Sequence, residues 1–393
     1  MQIDCISWCQ RSSMMSAASA PPAPPPPPAP PLSCVANAFD NGVWLPSSRG
    51  ELFGSWRCPL WEPKSVRFNC ANRAPFRRYS ADFCTAPDAH DVLAPRGGHR
   101  TLFFVGDSLA EQHQRAVVCR MLRDAFRRKV PATLTMHGPL TAPEHKHVCS
   151  ERDVSCIGLP RWVALLPDRP ASFGPCTPSC STVSTLHWSV TMCYVAAGTG
   201  YKECSRRAVE MASLLYDLRI ARRGDVIFMN EGLWHNNLTQ SVDNLESLYV
   251  DLTSGDGKMV NLSRAVSELG VGLVWRETSP QHFQGSASGS FVGRQFTAYQ
   301  GDTCAPSAAV DEQHKLRAAL LLALEDAGLP ILRIWNLTKT QWDVHLDNRT
   351  SHVLRLKHAD CTHFCEPSGV MEAWADGSLL LVDRLVRNLV GTW

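Results

Sequence analysis

The sequence predicts an α/β protein with an open, mostly parallel sheet and helices on both faces. One observation is a set of short apolar runs, such as TLFFV at 101–105, which are typical of strands buried on both faces of a parallel sheet. Another is their alternation with longer stretches that carry apolar residues at helical spacing. This alternation indicates a sheet whose faces are covered by crossover helices.

The first strand and the helix after it form the clearest unit. The run at 101–105 ends at Gly106, and Val118 and Leu122 then share one face of a helix. The remaining predicted elements are a helix at 205–221, a strand at 225–229, a strand at 272–275, a helix at 311–327, a strand at 329–335 and a helix at 378–390. Residues 131–200 are rich in Cys, Pro and Ser, so we expect inserted loops there.

Composition divides the chain into three segments. Residues 1–33 are predicted to be disordered and Pro-rich, and the run PPAPPPPPAPPL at 21–32 favours an extended polyproline II spacer. Residues 34–96 are predicted to form a loop-rich layer that disulfides staple onto the main domain. The Cys and Trp residues of this layer are Cys34, Cys58, Cys70, Cys84, Trp44, Trp56 and Trp61. Residues 97–393 are predicted to form the α/β domain, which carries the candidate chemistry.

Cysteine content and glycosylation motifs indicate an oxidising compartment. The chain has 16 Cys among its 393 residues, which is typical of disulfide-bonded proteins of the secretory pathway. Sequons of the N-x-S/T type begin at Asn237, Asn261, Asn336 and Asn348, which agrees with this interpretation. Residues 1–20 contain no apolar signal core, so we expect a signal or anchor upstream of this start.

Charge, hydropathy and the spacing of possible ligands argue against nucleic acid, a membrane span and a metal site. The net charge of +2 implies no broad basic face, so nucleic acid is not expected. No stretch of about 20 apolar residues occurs, so no membrane span is expected in this chain. A metal site is a rival hypothesis for His145, His147 and Cys149, which alternate as residues on one strand face do. They lack a matching second pair of ligands, so we predict no metal.

Ser108 is the first candidate catalytic residue. It follows a buried strand, and reactive groups of open α/β sheets gather at the carboxyl ends of strands. It also begins a helix, where backbone N–H groups stabilise an oxyanion. Gly106 permits the sharp turn between strand and helix. The alternative is that Ser108 only caps the helix.

Asp360 and His363 lie three residues apart near the C-terminus. A serine hydroxyl becomes a good nucleophile when an imidazole takes its proton, and a carboxylate best orients that imidazole. We therefore expect one loop, pinned by disulfides at Cys361 and Cys365, to bring both side chains to Ser108. The alternative is a surface pair without a catalytic role.

Ordered sequence motifs point to a family. They read FVGDSL at 104–109, NEGLWH at 230–235, RETSPQHF at 276–283 and DCTHFCEP at 360–367 followed by Trp374, with FDNGVW at 39–44 and RFNC at 67–70 in the N-terminal layer. This set resembles the trichome-birefringence-like and related PC-esterase proteins, which are plant-type polysaccharide O-acetyltransferases. The chain differs where the family has S-R-N-Q after the serine, since it carries AEQH at 110–113, and where the family has His-Trp-Trp, since it carries LWH at 233–235.

The resemblance implies an SGNH-hydrolase-like fold and an O-acetyltransferase that acts on a cell-wall or extracellular polysaccharide. It implies Ser108 as nucleophile, His363 as general base and Asp360 as the partner that orients the base. The residues expected to donate to the oxyanion or to bind substrate are Gly106, Asp107, Asn230, Gly232, Trp234, His235, Arg276 and His282. The last two of these are expected to hold sugar hydroxyls or carboxylates.

The same resemblance implies the partners and the compartment. No bound cofactor is expected, but the reaction needs an acetyl donor, for which acetyl-CoA and a donor-supplying membrane protein are candidates. The Golgi lumen is the expected location, with the extracellular space as the alternative. Two other functions stay open: an esterase with the same triad, and a non-catalytic protein that binds wall glycans through the Pro-rich segment and the tryptophans.

Overall fold

The computed structural model describes the greater part of the α/β region. The described residues are 42–53, 55–61, 70, 75–81, 85–93, 99–137, 179–197, 207–231, 258–283, 304–306, 310–346 and 359–390. All of them lie in the unit that spans residues 33–393. The predicted Pro-rich segment at 1–33 therefore lies outside the described residues.

The described residues include eleven strands, eight α-helices and two short 3-10 helices at Pro59–Trp61 and Trp342–Val344. The strands are β1 (Val43–Pro46), β2 (Arg77–Ser80), β3 (His99–Gly106), β4 (Thr133–His137), β5 (Ser179–Ser184), β6 (Ser189–Ala196), β7 (Val226–Met229), β8 (Gly272–Arg276), β9 (Ile331–Leu332), β10 (His345–Leu346) and β11 (Asp360–Phe364). The helices are α1 (Arg49–Phe53), α2 (Ala89–Leu93), α3 (Ser108–Arg127), α4 (Ala208–Asp217), α5 (Lys258–Glu268), α6 (Val310–Asp326), α7 (Trp335–Thr338) and α8 (Val370–Val390). Among the described residues, no helix has both the length and the apolar character that a membrane crossing needs.

The central sheet has seven strands in the order β4-β5-β6-β3-β7-β8-β9. Strands β6, β3, β7, β8 and β9 run parallel, whereas β4 and β5 form an antiparallel extension beside β6. Because the parallel strands end at the same edge, the residues that follow β3, β7 and β8 are brought together there. The prediction of an α/β protein with a mostly parallel sheet is confirmed.

Side chains alternate between the two faces of the sheet, as the strand period requires. On one face, Phe104 and Val274 belong to an apolar cluster with residues of α3 and α8. On the other face, Phe103, Val105 and Leu273 belong to a second cluster with residues of α4, α5 and α6. Helices therefore cover both faces, as the sequence predicts, and each face buries its own core.

Disulfides join distant parts of the chain. They link Cys58 to Cys119, Cys70 to Cys365, Cys180 to Cys193 and Cys304 to Cys361. The first two connect the Cys/Trp-rich segment to α3 and to the residue after β11. The prediction that Cys361 and Cys365 pin the segment around His363 is confirmed. Cys34 and Cys84 lie outside the described residues.

The elements differ from the sequence-based expectation in several places. Residues 131–200, expected to be loops, contain β4, β5 and β6, and β6 lies next to β3 in the sheet. The strand expected at 329–335 is shorter because α7 begins at Trp335, where the Glu277 carboxylate accepts hydrogen bonds from the Ile334 and Trp335 N–H groups. Helix α8 begins several residues before 378, and α5 was not predicted.

A buried carboxyl at the start of α8, that of Glu372, should make the free energy of unfolding depend on pH. Glu372 Oε2 accepts a hydrogen bond from the Gly369 N–H at 2.8 Å, and burial raises the pKa of this carboxyl to about 7. Its pKa is higher in the folded than in the unfolded state, so its stabilising contribution is complete below the unfolded pKa and is lost as pH rises through the folded one. Glu372→Gln keeps an acceptor for Gly369 without titrating.

We therefore expect Glu372→Gln to gain unfolding free energy relative to wild type as pH rises from 4 to 8. The gain should be about 1–3 kcal/mol, from the usual cost of one pKa unit. Chemical denaturation of both proteins across this pH range measures it. A stability difference that is the same at every pH would contradict the assignment.

Candidate active site

Ser108 lies at the junction of β3 and α3, at the carboxyl edge of the parallel sheet, and is buried. The N-cap residue of α3 is Asp107, whose Oδ1 accepts a hydrogen bond from the Leu109 N–H at 2.9 Å. Asp is among the preferred N-cap residues because its carboxylate satisfies an otherwise unpaired N–H. Asp107 therefore performs the capping function that was the alternative role for Ser108, and the Ser108 hydroxyl points elsewhere.

His363 and Asp360 complete a chain of hydrogen bonds that starts at Ser108. His363 Nε2 lies 2.5 Å from Ser108 Oγ, and His363 Nδ1 lies 2.7 Å from Asp360 Oδ2. Asp360 Oδ1 accepts from the backbone N–H groups of Thr362 and His363, both at 3.3 Å. The structure brings together the three side chains that the sequence singles out, and it carries two of them on the short strand β11 rather than on the expected loop.

This arrangement fixes the roles of the two imidazole nitrogens. An ionised carboxylate only accepts hydrogen bonds, so His363 Nδ1 carries the proton that Asp360 receives. In the neutral ring Nε2 is then the free base, and it accepts the hydrogen bond of the Ser108 hydroxyl. In this position the Asp360 carboxylate could also stabilise an imidazolium on His363. The arrangement is one that can activate a serine hydroxyl as a nucleophile.

The start of α3 supplies a donor for an oxyanion. Ser108 is the first residue of the helix, so its N–H has no carbonyl four residues earlier within the helix. The positive end of the dipole of this 20-residue helix lies at the same place. A carbonyl attacked by Ser108 Oγ would develop its negative charge beside this N–H, where a fixed donor stabilises it.

Gly106 is required by the close packing of the strand ends. Its φ is +155°, and a Cβ at this position would lie 3.1 Å from the Asn230 carbonyl oxygen and 3.3 Å from the Ala110 Cβ. A larger residue would push β3 away from β7 or tilt the start of α3. The predicted turn is thus present, and the expected role of Gly106 at the oxyanion or substrate stays a prediction.

Arg276 is buried beneath the turn that holds Ser108. Its Nη2 lies 3.6 Å from Asp107 Oδ1, and its guanidinium lies over the Trp374 ring at 5.1 Å. Burial lowers the pKa of Arg276, and the Asp107 carboxylate opposes this effect. The Arg276 guanidinium therefore faces the N-cap of α3, and its expected contact with sugar hydroxyls or carboxylates stays a prediction.

Asn230 ties the ends of β7 and β8 together. Its Nδ2 donates to the Arg276 carbonyl oxygen at 2.8 Å and lies 2.9 Å from Thr278 Oγ1. A carbonyl only accepts, which fixes the orientation of the amide. Both amide hydrogens are thereby committed inside the protein. The expected role of Asn230 as an oxyanion donor or substrate contact stays a prediction.

His282 is buried and hydrogen-bonded through both ring nitrogens. Its Nε2 lies 2.9 Å from the Lys339 carbonyl oxygen, and its Nδ1 lies 2.7 Å from His345 Nε2. His345 Nδ1 in turn lies 2.9 Å from the His363 carbonyl oxygen. Burial lowers the pKa of His282 and lowers that of His345 well below its ordinary value. Both ring nitrogens of His282 are engaged and the residue has no exposed surface, and its expected contact with a sugar stays a prediction.

Sequence reasoning missed the residues that hold β11 and α8 against α3. Gln112 hydrogen-bonds both backbone groups of Phe364, the residue after His363. His113 Nε2 lies 2.6 Å from Ser378 Oγ and anchors α8 to α3. The helical spacing of Gln112 from Ser108 was a usable signal, because residues four apart lie on the same helix face. No signal in the sequence indicates the His282–His345 contact.

Some expectations fall on residues that the structure does not describe. Gly232, Trp234 and His235 lie outside the described residues, as do His145, His147 and Cys149 of the rival metal hypothesis. Within the described ranges, no group of three or more His, Cys, Asp or Glu side chains lies close enough to hold a metal ion.

No protein-family model matches this chain, and no curated protein matches it. The resemblance to the PC-esterase proteins therefore rests on the sequence motifs alone.

Proposed function

We propose that the chain is an O-acetyltransferase that moves an acetyl group onto a hydroxyl of a cell-wall or extracellular polysaccharide. The observation that carries the proposal is the continuous hydrogen-bonded chain from Ser108 Oγ through His363 to Asp360. Such a chain serves nucleophilic acyl transfer, because it turns a neutral hydroxyl into a nucleophile without a metal. The acetyl group and the polysaccharide come from the resemblance of the motifs to the PC-esterase proteins.

The first half-reaction forms an acyl-serine. His363 Nε2 takes the proton of Ser108 as Oγ attacks the acetyl carbonyl of the donor. The negative charge on the tetrahedral intermediate lies beside the Ser108 N–H, and Asp360 stabilises the imidazolium. The intermediate collapses when the bond to the leaving group breaks. That group departs with the proton from His363, and acetyl-Ser108 remains.

The second half-reaction transfers the acetyl group to the acceptor. A sugar hydroxyl loses its proton to His363 Nε2 as its oxygen attacks the acetyl-serine carbonyl. The second tetrahedral intermediate releases Ser108 Oγ, which recovers the proton from the imidazolium. The products are the acetylated sugar and free enzyme. Water in place of the sugar would give acetate, which is the hydrolysis of an esterase, and the same residues would perform it.

We further propose that the fold is SGNH-hydrolase-like and that the protein acts in the secretory pathway, in the Golgi lumen. The position of Ser108 after a central parallel strand supports the first proposal. The disulfides support the second, because such bonds form and persist in oxidising compartments. The proposed organisation is a Pro-rich segment at 1–33, a Cys/Trp-rich layer at 34–96 and a catalytic PC-esterase-like domain at 97–393.

Mass spectrometry of oligosaccharides tests the proposed activity. The protein is incubated with bare and with acetylated xylan oligosaccharides, with acetyl-CoA or an aryl acetate as donor and without any donor. We expect the bare oligosaccharides to be acetylated only when a donor is present. Oligosaccharides from other wall polysaccharides that carry the same acceptor hydroxyl should be acetylated as well. Donor-independent loss of acetyl groups would instead identify an esterase. Binding of the glycans without any turnover would contradict acyl-transfer chemistry altogether.

A further inference from the structure

One buried side chain connects the helix that carries Ser108 to the strand that carries His363. Gln112 Nε2 donates to the Phe364 carbonyl oxygen at 2.8 Å, and Gln112 Oε1 accepts from the Phe364 N–H at 3.2 Å. The amide thus makes the pair of hydrogen bonds that a neighbouring strand would make to Phe364. We propose that Gln112 is a positioning residue that sets the distance between the Ser108 hydroxyl and the His363 imidazole. This inference rests on the proposed acyl-transfer function.

The spacing of the residues explains why this contact controls the catalytic distance. Gln112 lies one helical turn after Ser108, so the two side chains project from the same face of α3. Phe364 directly follows His363 on β11. The two hydrogen bonds between Gln112 and Phe364 therefore fix both the position of β11 along α3 and its rotation against this helix. The chain itself sets no such distance, because Ser108 and His363 are separated by 255 residues.

The surroundings of Gln112 keep its amide in one orientation. It has no exposed surface, and its Nε2 also lies 3.3 Å from Glu366 Oε1. Arg115 Nε donates to the other oxygen of Glu366 at 3.1 Å. An acceptor on one side and a backbone N–H on the other leave a single arrangement of oxygen and nitrogen for the amide. The Gln112 amide is therefore held by Glu366 and by the Phe364 backbone in the orientation that both hydrogen bonds need.

Helix α3 offers a matched control. Gln114 is also buried, and its Nε2 donates to the Met192 carbonyl oxygen at 2.9 Å and lies 3.3 Å from Ser181 Oγ. It belongs to the same helix and also donates to a strand carbonyl, but it faces β6 and β5 and makes no described contact with β11. A purely structural role would make the two glutamines equivalent.

The test measures the reactivity of Ser108 with a fluorophosphonate in the full-length protein. In this reaction Ser108 Oγ bonds to phosphorus, fluoride leaves, and the serine proton passes to His363. We expect Gln112→Met to lower the second-order rate by roughly 10- to 100-fold, since a shift of about 1 Å in a reacting group has this effect. Gln114→Met should lose a similar amount of thermal stability but keep the wild-type rate. With an acetyl donor, the loss in Gln112→Met should appear in kcat and not in KM.

A second variant keeps the inference testable if Gln112→Met does not fold. Gln112→Glu retains the acceptor, and its carboxyl regains a donor when protonated. Its rate relative to wild type at the same pH should therefore recover as pH falls. Equal rates in Gln112→Met and Gln114→Met, or no recovery in Gln112→Glu, would overturn the inference alone. A wild-type protein that does not react with the probe would overturn the proposed acyl chemistry, and the inference with it.

Discussion

Replacement of Ser108 by Ala is expected to abolish acetyl transfer. The rate should fall by roughly 10⁴- to 10⁶-fold, which is the usual effect of removing the nucleophile of a serine triad. The physical reason is that His363 Nε2, 2.5 Å from Ser108 Oγ, would have no hydroxyl to deprotonate. Initial rates of acetylation of xylan oligosaccharides, followed by mass spectrometry, measure this effect.

The matched control for this substitution is Ser279→Ala. Ser279 is also buried, and its Oγ has no hydrogen-bond partner among the described residues. Its replacement should leave the rate within about twofold of wild type, because the change breaks no hydrogen bond within the described residues. Full activity in Ser108→Ala would refute the acyl-serine mechanism. Equal losses in both variants would indicate damage to the fold and not to the chemistry.

Asp360→Asn is expected to lower the rate by about 10⁴-fold while the protein stays folded. An asparagine amide in place of Oδ2 would donate to His363 Nδ1 and force the proton onto Nε2. The ring would then point an N–H at Ser108 and could not accept the serine proton. Asn Oδ1 would still accept from the backbone N–H groups of Thr362 and His363, so the local structure should persist.

Asp383→Asn serves as the control for the loss of one negative charge. Asp383 pairs with Arg387 one helical turn away on the outer part of α8. No described hydrogen bond or ion pair connects it to Ser108. We expect its rate to match wild type. Acetylation rates and thermal unfolding of both variants separate catalysis from stability. A wild-type rate in Asp360→Asn would show that His363 does not depend on this carboxylate.

Local sequence patterns predict those elements in which nearly every residue favours the same secondary structure. TLFFV is apolar at every position after Thr101, and the structure extends this strand to His99–Gly106 with both faces covered. The same reasoning locates β7 and β8. It fails for β6, because Ser, Thr and Cys within Ser189–Ala196 conceal a buried strand. A disulfide from Cys193 to Cys180 on the paired strand accounts for one of these polar positions.

The residues of the candidate site also fall into two groups, those that the sequence reveals and those whose contacts only the fold reveals. Ser108, Asp360 and His363 are recognisable because their chemistry requires those residue types in those settings. Arg276 and His282 have equally suggestive types, yet the structure buries both and engages them with Asp107 and His345. These contacts join residues that are far apart in the chain, so no local pattern contains them. Helical spacing alone links Gln112 to Ser108, but its partner Phe364 becomes visible only in the fold.

The central claim is that Ser108 carries the acetyl group between donor and acceptor. The most direct measurement is peptide mass spectrometry of the wild-type protein after brief incubation with an isotopically labelled aryl acetate and an acid quench. We predict a labelled acetyl group on the peptide that contains Ser108, which disappears when an acceptor oligosaccharide is added before the quench. Acetyl transfer to the oligosaccharide at an undiminished rate while Ser108 stays unmodified throughout would contradict the account.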